Sequence, residues 1–298
     1  MEIVLADSAA QIDALDFLNV VISGTTNYFI HRNLIQYMIE VETIQEILDR
    51  KSFLDSYDIV DYMGSQWDDK ILTADDFYDI ITGVFKKETK PLTSKEKYNL
   101  MDNLQKNKVW VHNEGDCFLS YECKLPYGTH MRFYINSKNP DSACSILTSI
   151  VNEFREKGKF KIKTITGCSD GFSRYDNTML YVHYNDAKQY LDFLKTIPDK
   201  LFDEEVPLTT RKFAKGRGYA SSVLKRSCRR ILEYPIRTEN MSFNTLHSFL
   251  IERAFHVAID QVISDMDEIK KLYETGMMQA AINPHKPYLR IDMQDILD

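Results

Sequence analysis

Lys159-Phe160-Lys161-Ile162-Lys163-Thr164-Ile165 is the stretch whose reading decides the fold. Its residues alternate with period two, the signature of a β-strand with two different faces. Lys159, Lys161 and Lys163 share one face. Phe160, Ile162 and Ile165 are expected to serve the core, with a shift near Thr164. Lysines on one strand face allow two readings. One is a sheet surface turned to solvent. The other is a cleft floor where cations converge on an anion, with Lys or Arg poised to bind phosphate oxygens or move a proton.

The neighbouring segments extend the sheet. Cys117 to Cys123 and Val109-Trp110-Val111 read as strands, and Pro126-Tyr127-Gly128 as a turn. Thr129 to Asn136 alternates, so His130, Arg132 and Tyr134 share a face. Asn139-Pro140-Asp141 is a helix start, and that helix is expected to run to about Lys157, ended by Gly158. Asn177 to Tyr184 reads as another strand, and Asn185 as the cap of a helix from Asp186 to about Thr196. One long helix is expected from about Phe243 to Thr275. Upstream, residues 1 to about 110 read as helical and acidic. Thr73 to Asp76 forms a capping-box pattern, and a second helix is expected over Lys95 to Gln105. The fold class is therefore α+β: a helical N-terminal region (1–110), then a mainly antiparallel sheet flanked by helices (111–298).

Composition excludes several classes. The chain has 298 residues, 44% hydrophobic, enough for a sizeable core. No apolar run approaches the roughly 20 residues of a membrane span. The acidic N-terminus does not read as a signal peptide. Five cysteines without a CxxC pair fit reduced thiols in a cytoplasmic setting. Net charge is −7, yet Val206 to Leu232 carries eight basic residues and no acid, so the other 271 residues carry −15. Such a balance disfavours nucleic acid, which needs broad basic coverage. A basic island suggests a compact anion site or docking groove, or simply a basic helix face in solvent. The seven histidines show no metal-ligand spacing, so no metal is expected. Gly167-Cys168-Ser169-Asp170-Gly171 matches the hydrolase elbow, but the segment after it, Phe172 to Tyr184, reads as strand where the elbow needs a helix.

Five segments in order carry a resemblance. They are Phe160-Lys161-Ile162-Lys163, Arg174-Tyr175-Asp176-Asn177-Thr178-Met179-Leu180-Tyr181-Val182, Phe213 to Ala220, Ser242 to His247, and Ile282 to Leu289. Over about residues 117 to 290 the chain resembles the HopA-type effector domain family. It includes lyases of class V lanthipeptide and thioamitide-type pathways and is similar to bacterial phosphothreonine lyases. The resemblance implies a phosphothreonine-lyase-like fold. It implies elimination of phosphate from phosphoserine or phosphothreonine of a ribosomally made precursor peptide, giving dehydroalanine or dehydrobutyrine. It implies no cofactor, a separate Ser/Thr peptide kinase and a cyclase as partners, and neither nucleic acid nor membrane. On the residues, Lys163 is the expected base, with Lys161 second. Tyr134 and Tyr181 are expected as proton or hydrogen-bond donors. Arg174, Arg132, Arg217, Arg226 and His247 are expected to hold phosphate, and Asp176 to orient Arg174. Arg132 and Tyr134 stand where related lyases carry Lys and His, and His247 stands where the family carries Arg. The competing reading is a non-catalytic module that grips a phosphorylated or acidic peptide.

Overall fold

The computed structural model describes residues 73–83, 92–115, 117–124, 130–167, 171–223, 229–236, 238, 241–261, 263 and 265–298. Expectations that fall on 1–72, including the early helices, and on Arg226 lie outside these residues. Two compact units emerge. One takes in the described residues between 87 and 222 together with 294–298; the other, those between 12 and 86 and between 223 and 293.

The first unit is built on a seven-stranded sheet. Its strands are β1 (His112–Glu114), β2 (Phe118–Cys123), β3 (His130–Ile135), β4 (Phe160–Ile165), β5 (Thr178–His183), β6 (Arg211–Ala214) and β7 (Arg217–Ser221). The order across the sheet is β1-β2-β4-β5-β3-β7-β6, and every neighbouring pair is antiparallel. Two helices, α3 (Pro140–Phe154) and α4 (Ala187–Thr196), supply Phe154 and Tyr190 to one face. There Phe154, Phe160 and Tyr190 cluster, with ring centroids 4.0–6.4 Å apart. Phe160, Ile162, Leu180, Val182, Met131 and Phe133 on this helix face are fully buried. Asn139 starts α3, its side chain accepting from the Ser142 N–H, and helix α2 (Ser94–Lys106) opens with a Thr93/Glu96 capping box. Gly216 turns the β6–β7 hairpin at φ +59°, where an added Cβ would collide with the Asp203 carbonyl.

The second unit holds α1 (Ala74–Thr82), α5 (Phe243–Asp260), α6 (Met266–Gln279) and the hairpins β8 (Arg229–Ile231)–β9 (Tyr234–Ile236) and β10 (Ile282–Asn283)–β11 (Lys286–Arg290). Phe77 of α1 stacks on Phe255 of α5, at 5.9 Å.

Several expectations are corrected. The long helix from Phe243 to Thr275 is two helices, because Asp265 begins a new one by accepting from the Asp267 and Glu268 N–H groups. Val109 to Val111 is not a strand; β1 starts three residues later. No shift occurs at Thr164. The β2–β4 and β4–β5 ladders run unbroken, so Thr164 completes the helix face and Ile165 lies on the lysine face. Thr164 is tolerated there because its hydroxyl bonds to the Asn177 carbonyl and to Thr178. Asn185 does not cap α4 with its side chain; a 3-10 turn, Tyr184–Asp186, precedes the helix. As expected, no helix follows Gly171: a 3-10 turn to Ser173 leads on to β5, so the hydrolase elbow lacks its helix. Cys117 is disulfide-bonded, which corrects the expectation of reduced thiols throughout, while Cys123 and Cys144 are free.

The basic island is not a helix face. Its described residues form β6, β7 and β8. Several of its charges are met by acids from elsewhere in the chain: Arg211 by Asp295 and Asp298, Lys212 and Lys215 by Glu204, Arg217 by Asp199.

Candidate functional site

Residues directly opposite in an antiparallel ladder share a face. Lys161 lies opposite Tyr181, which lies opposite Arg132. Lys163 lies opposite Met179, which lies opposite Tyr134. Three central strands thus bring Lys161, Lys163, Tyr181, Arg132 and Tyr134 onto the face that α3 and α4 do not cover. From β2, Phe118, Ser120 and Glu122 join the same face.

The contacts within this cluster are specific. The Lys163 ammonium sits over the Phe118 ring at 4.1 Å and 5.6 Å from the Tyr181 centroid. The Arg132 guanidinium lies 5.2 Å from the same Tyr181 ring. Tyr181 is therefore flanked by two cations, an arrangement its ring quadrupole favours. Its hydroxyl reaches the Met179 sulfur at 3.6 Å. Tyr134 is buried and Arg132 half-buried.

Glu114 escaped the sequence reading, because β1 is only three residues long and was expected elsewhere. Its carboxylate forms an ion pair with Lys161 at 2.8 Å and accepts a hydrogen bond from the Ser120 hydroxyl. Burial penalises its charge. The hydrogen bonds from Lys161 and Ser120, with the nearby charge of Lys163, outweigh that and hold the carboxyl below its ordinary range. Among the described residues Lys163 makes no ion pair and no hydrogen bond.

Arg174 and Asp176 are brought together on the turn that leads into β5. Both are buried, and the guanidinium grips the carboxylate through Nε at 2.8 Å and Nη2 at 3.0 Å. Asn177 locks this turn. It accepts from the Ser137 N–H and donates to the Ser137 and Phe172 carbonyls.

Arg217 is placed apart from the cluster. It lies opposite Ile135 on the helix face, 1% exposed. Its guanidinium donates to the carbonyls of Lys215, Leu194 and Ile197, pairs with Asp199 and stacks on Phe202. That is the environment of a structural tie between β7 and the end of α4. His247 belongs to the second unit and is fully buried. Its Nε2 donates to the Pro287 carbonyl at 2.9 Å, which leaves Nδ1 to accept from the Tyr273 hydroxyl at 2.5 Å. Burial pushes its pKa down to about 3, so the ring is neutral. A neutral, enclosed imidazole supplies no charge to a phosphate. Among the described residues no group of three or more His, Cys, Asp or Glu is placed to hold a metal ion, and no helix is long and apolar enough to cross a membrane.

No curated protein is significantly similar to the chain. Two solved structures share its fold. The effector protein from Pseudomonas syringae pv. tomato strain DC3000 is 16% identical with a TM-score of 0.53, covering 80% of this chain and 98% of its own. The effector protein from Pseudomonas syringae pv. syringae strain 61 is 14% identical with a TM-score of 0.50, covering 80% and 96%. The family model described as the HopA1 effector protein family matches residues 116–289. With more than half of its length matched in this way, the chain belongs to the HopA1 effector protein family.

Proposed function

We propose that the chain is a lyase that eliminates phosphate from phosphoserine or phosphothreonine of a ribosomally made precursor peptide. The observation that carries this reading is the cluster of Lys163, Lys161, Arg132, Tyr181 and Tyr134 on one sheet face, with Lys163 held against aromatic rings rather than by a carboxylate. Elimination needs a base for the α-proton and positive charge for the departing phosphate. As a neutral amine, Lys163 takes the proton at Nζ. The electron pair of the broken Cα–H bond forms the Cα=Cβ double bond. The Cβ–O bond breaks, and phosphate leaves with that bonding pair. Arg132 and the Lys161 ammonium stabilise the developing negative charge. Tyr134 or Tyr181 donates a hydrogen bond to the same charge. The product is dehydroalanine or dehydrobutyrine.

A kinase must supply the phosphorylated peptide, and a cyclase that adds a nucleophile to the double bond would consume the product. Cytoplasmic action is part of this reading. The oxidation state of Cys117 in protein purified from cells without added oxidant tests it.

The competing reading is a module that grips a phosphorylated or acidic peptide without turning it over. Tyr134 favours it, since a tyrosine stands in the cluster where related lyases carry the histidine expected to act as acid. Incubation with a phosphoserine/phosphothreonine peptide, followed by mass spectrometry, separates the two. Loss of phosphoric acid, abolished in Lys163→Ala, is expected of the lyase. An intact phosphopeptide that stays bound to the protein would replace it with the binding module.

A further inference from the structure

We propose that Glu114 divides the work between the two strand lysines: it holds Lys161 as a paired ammonium and leaves Lys163 as the amine that takes the proton. The inference rests on the lyase reading above and makes Glu114 a positioning residue. Lys161 and Lys163 are two residues apart on β4 and point to the same side, so strand geometry alone makes them equivalent. The β1–β2 hairpin breaks that equivalence. It presents a carboxylate to one lysine and an aromatic ring to the other, from positions directly opposite each other, Glu114 and Phe118. Ser120 fixes the carboxylate by donating its hydroxyl to the same Oε2 atom that meets Lys161.

The surroundings of Lys163 are accounted for strand by strand. β1 contributes Glu114 and, by register, His112; β2 contributes Phe118, Ser120 and Glu122. Its own strand contributes Lys161. β5 contributes Tyr181 and Met179, and β3 contributes Arg132 and Tyr134. Glu114 is the carboxylate in this set that bonds a lysine. An ammonium bound to a carboxylate keeps its proton and offers positive charge to a phosphate. A lysine whose nitrogen bonds no carboxylate keeps that nitrogen available to a substrate proton.

The test compares wild type, Glu114→Gln and Glu114→Asp in two ways. The first is competitive acylation of lysines by a limiting amine-reactive ester, read by peptide mass spectrometry, because only the neutral amine reacts. Lys163 is expected to label faster than Lys161 in wild type, because the Glu114 carboxylate ties up the Lys161 ammonium. The ratio is expected to fall toward one in Glu114→Gln and to stay near wild type in Glu114→Asp. The second is the pH profile of elimination from a phosphothreonine peptide. Removing a negative charge makes nearby ammonium groups easier to deprotonate, so the rising limb moves to lower pH in Glu114→Gln. KM falls a few-fold as the Lys161 charge is released to the phosphate. Equal labelling of the two lysines in wild type, or a ratio that Glu114→Gln leaves unmoved, overturns the division of work. Labelling as expected without any elimination by wild type overturns the lyase reading and leaves the division standing.

Discussion

The two faces of the seven-stranded sheet are built from the same strands and could hardly differ more. On the helix face, Phe160, Ile162, Leu180, Val182, Met131 and Phe133 are shut off from water. One residue along in each case, Lys161, Lys163, Tyr181 and Arg132 keep partial exposure. Period-two alternation therefore stacks stability and chemistry in the same six-residue segments while keeping them separately mutable. Basic residues follow the division too. Those on the lysine face meet rings and one carboxylate. Arg217, on the helix face, has its guanidinium taken up by carbonyls and Asp199.

The sharpest way to break the comparison is a substitution on each face. Phe133→Ala removes a fully buried ring and is expected to cost about 3–5 kcal/mol of stability, measured by chemical denaturation. Lys163→Ala is expected to lower elimination by about 100-fold or more, while stability changes by no more than about 0.5 kcal/mol. If the lysine variant unfolds the chain instead, the two faces are not independent.

His247 extends the same contrast to the second unit, where a basic residue serves the interior. Its folded pKa, about 3, lies below the ordinary histidine value, so the unfolded chain binds the extra proton. Its contribution is fully present above pH 6.5 or so and is lost as pH falls from there toward 3. Wild-type stability is expected to decline by up to about 1.4 kcal/mol per pH unit over that window from this group, as followed by denaturation at successive pH values. His247→Gln should remove that slope and leave elimination near neutral pH unchanged. The smallest effect belongs to a helix end: Asn139→Ala, which deletes the side-chain acceptor for the Ser142 N–H, is expected to cost about 1 kcal/mol and no activity.

The strands that carry the cluster were legible because alternation is a local signal, and Lys161 and Lys163 declare their shared side by spacing alone. Tyr134 and Arg132 came from the same arithmetic on the next strand. Glu114 was not legible. A three-residue strand has too few positions to show a period, and what brings the carboxylate to Lys161 is a ladder with a strand of its own hairpin. His247 was misleading for the opposite reason: its position in a motif pointed to a ligand, whereas its burial depends on Tyr273 and Pro287, which lie 26 and 40 residues away. The single long helix also failed because an amphipathic pattern continues across Asp265, while the break is marked by the hydrogen bond from the Ile263 N–H to the Ala258 carbonyl and by the cap geometry of Asp265.

The short outer strands have a further consequence. The sheet ends in β1, three residues, on one side and β6, four residues with a register shift between Lys212 and Ala214, on the other. Such edges offer few free backbone groups for another strand to zip onto, which guards against edge-to-edge self-association. For the lyase proposed above, edges with little ladder to extend leave peptide recognition to side chains in the middle of the sheet, so selectivity is expected to follow the charge and spacing of a phosphorylated residue rather than a peptide's ability to become an eighth strand.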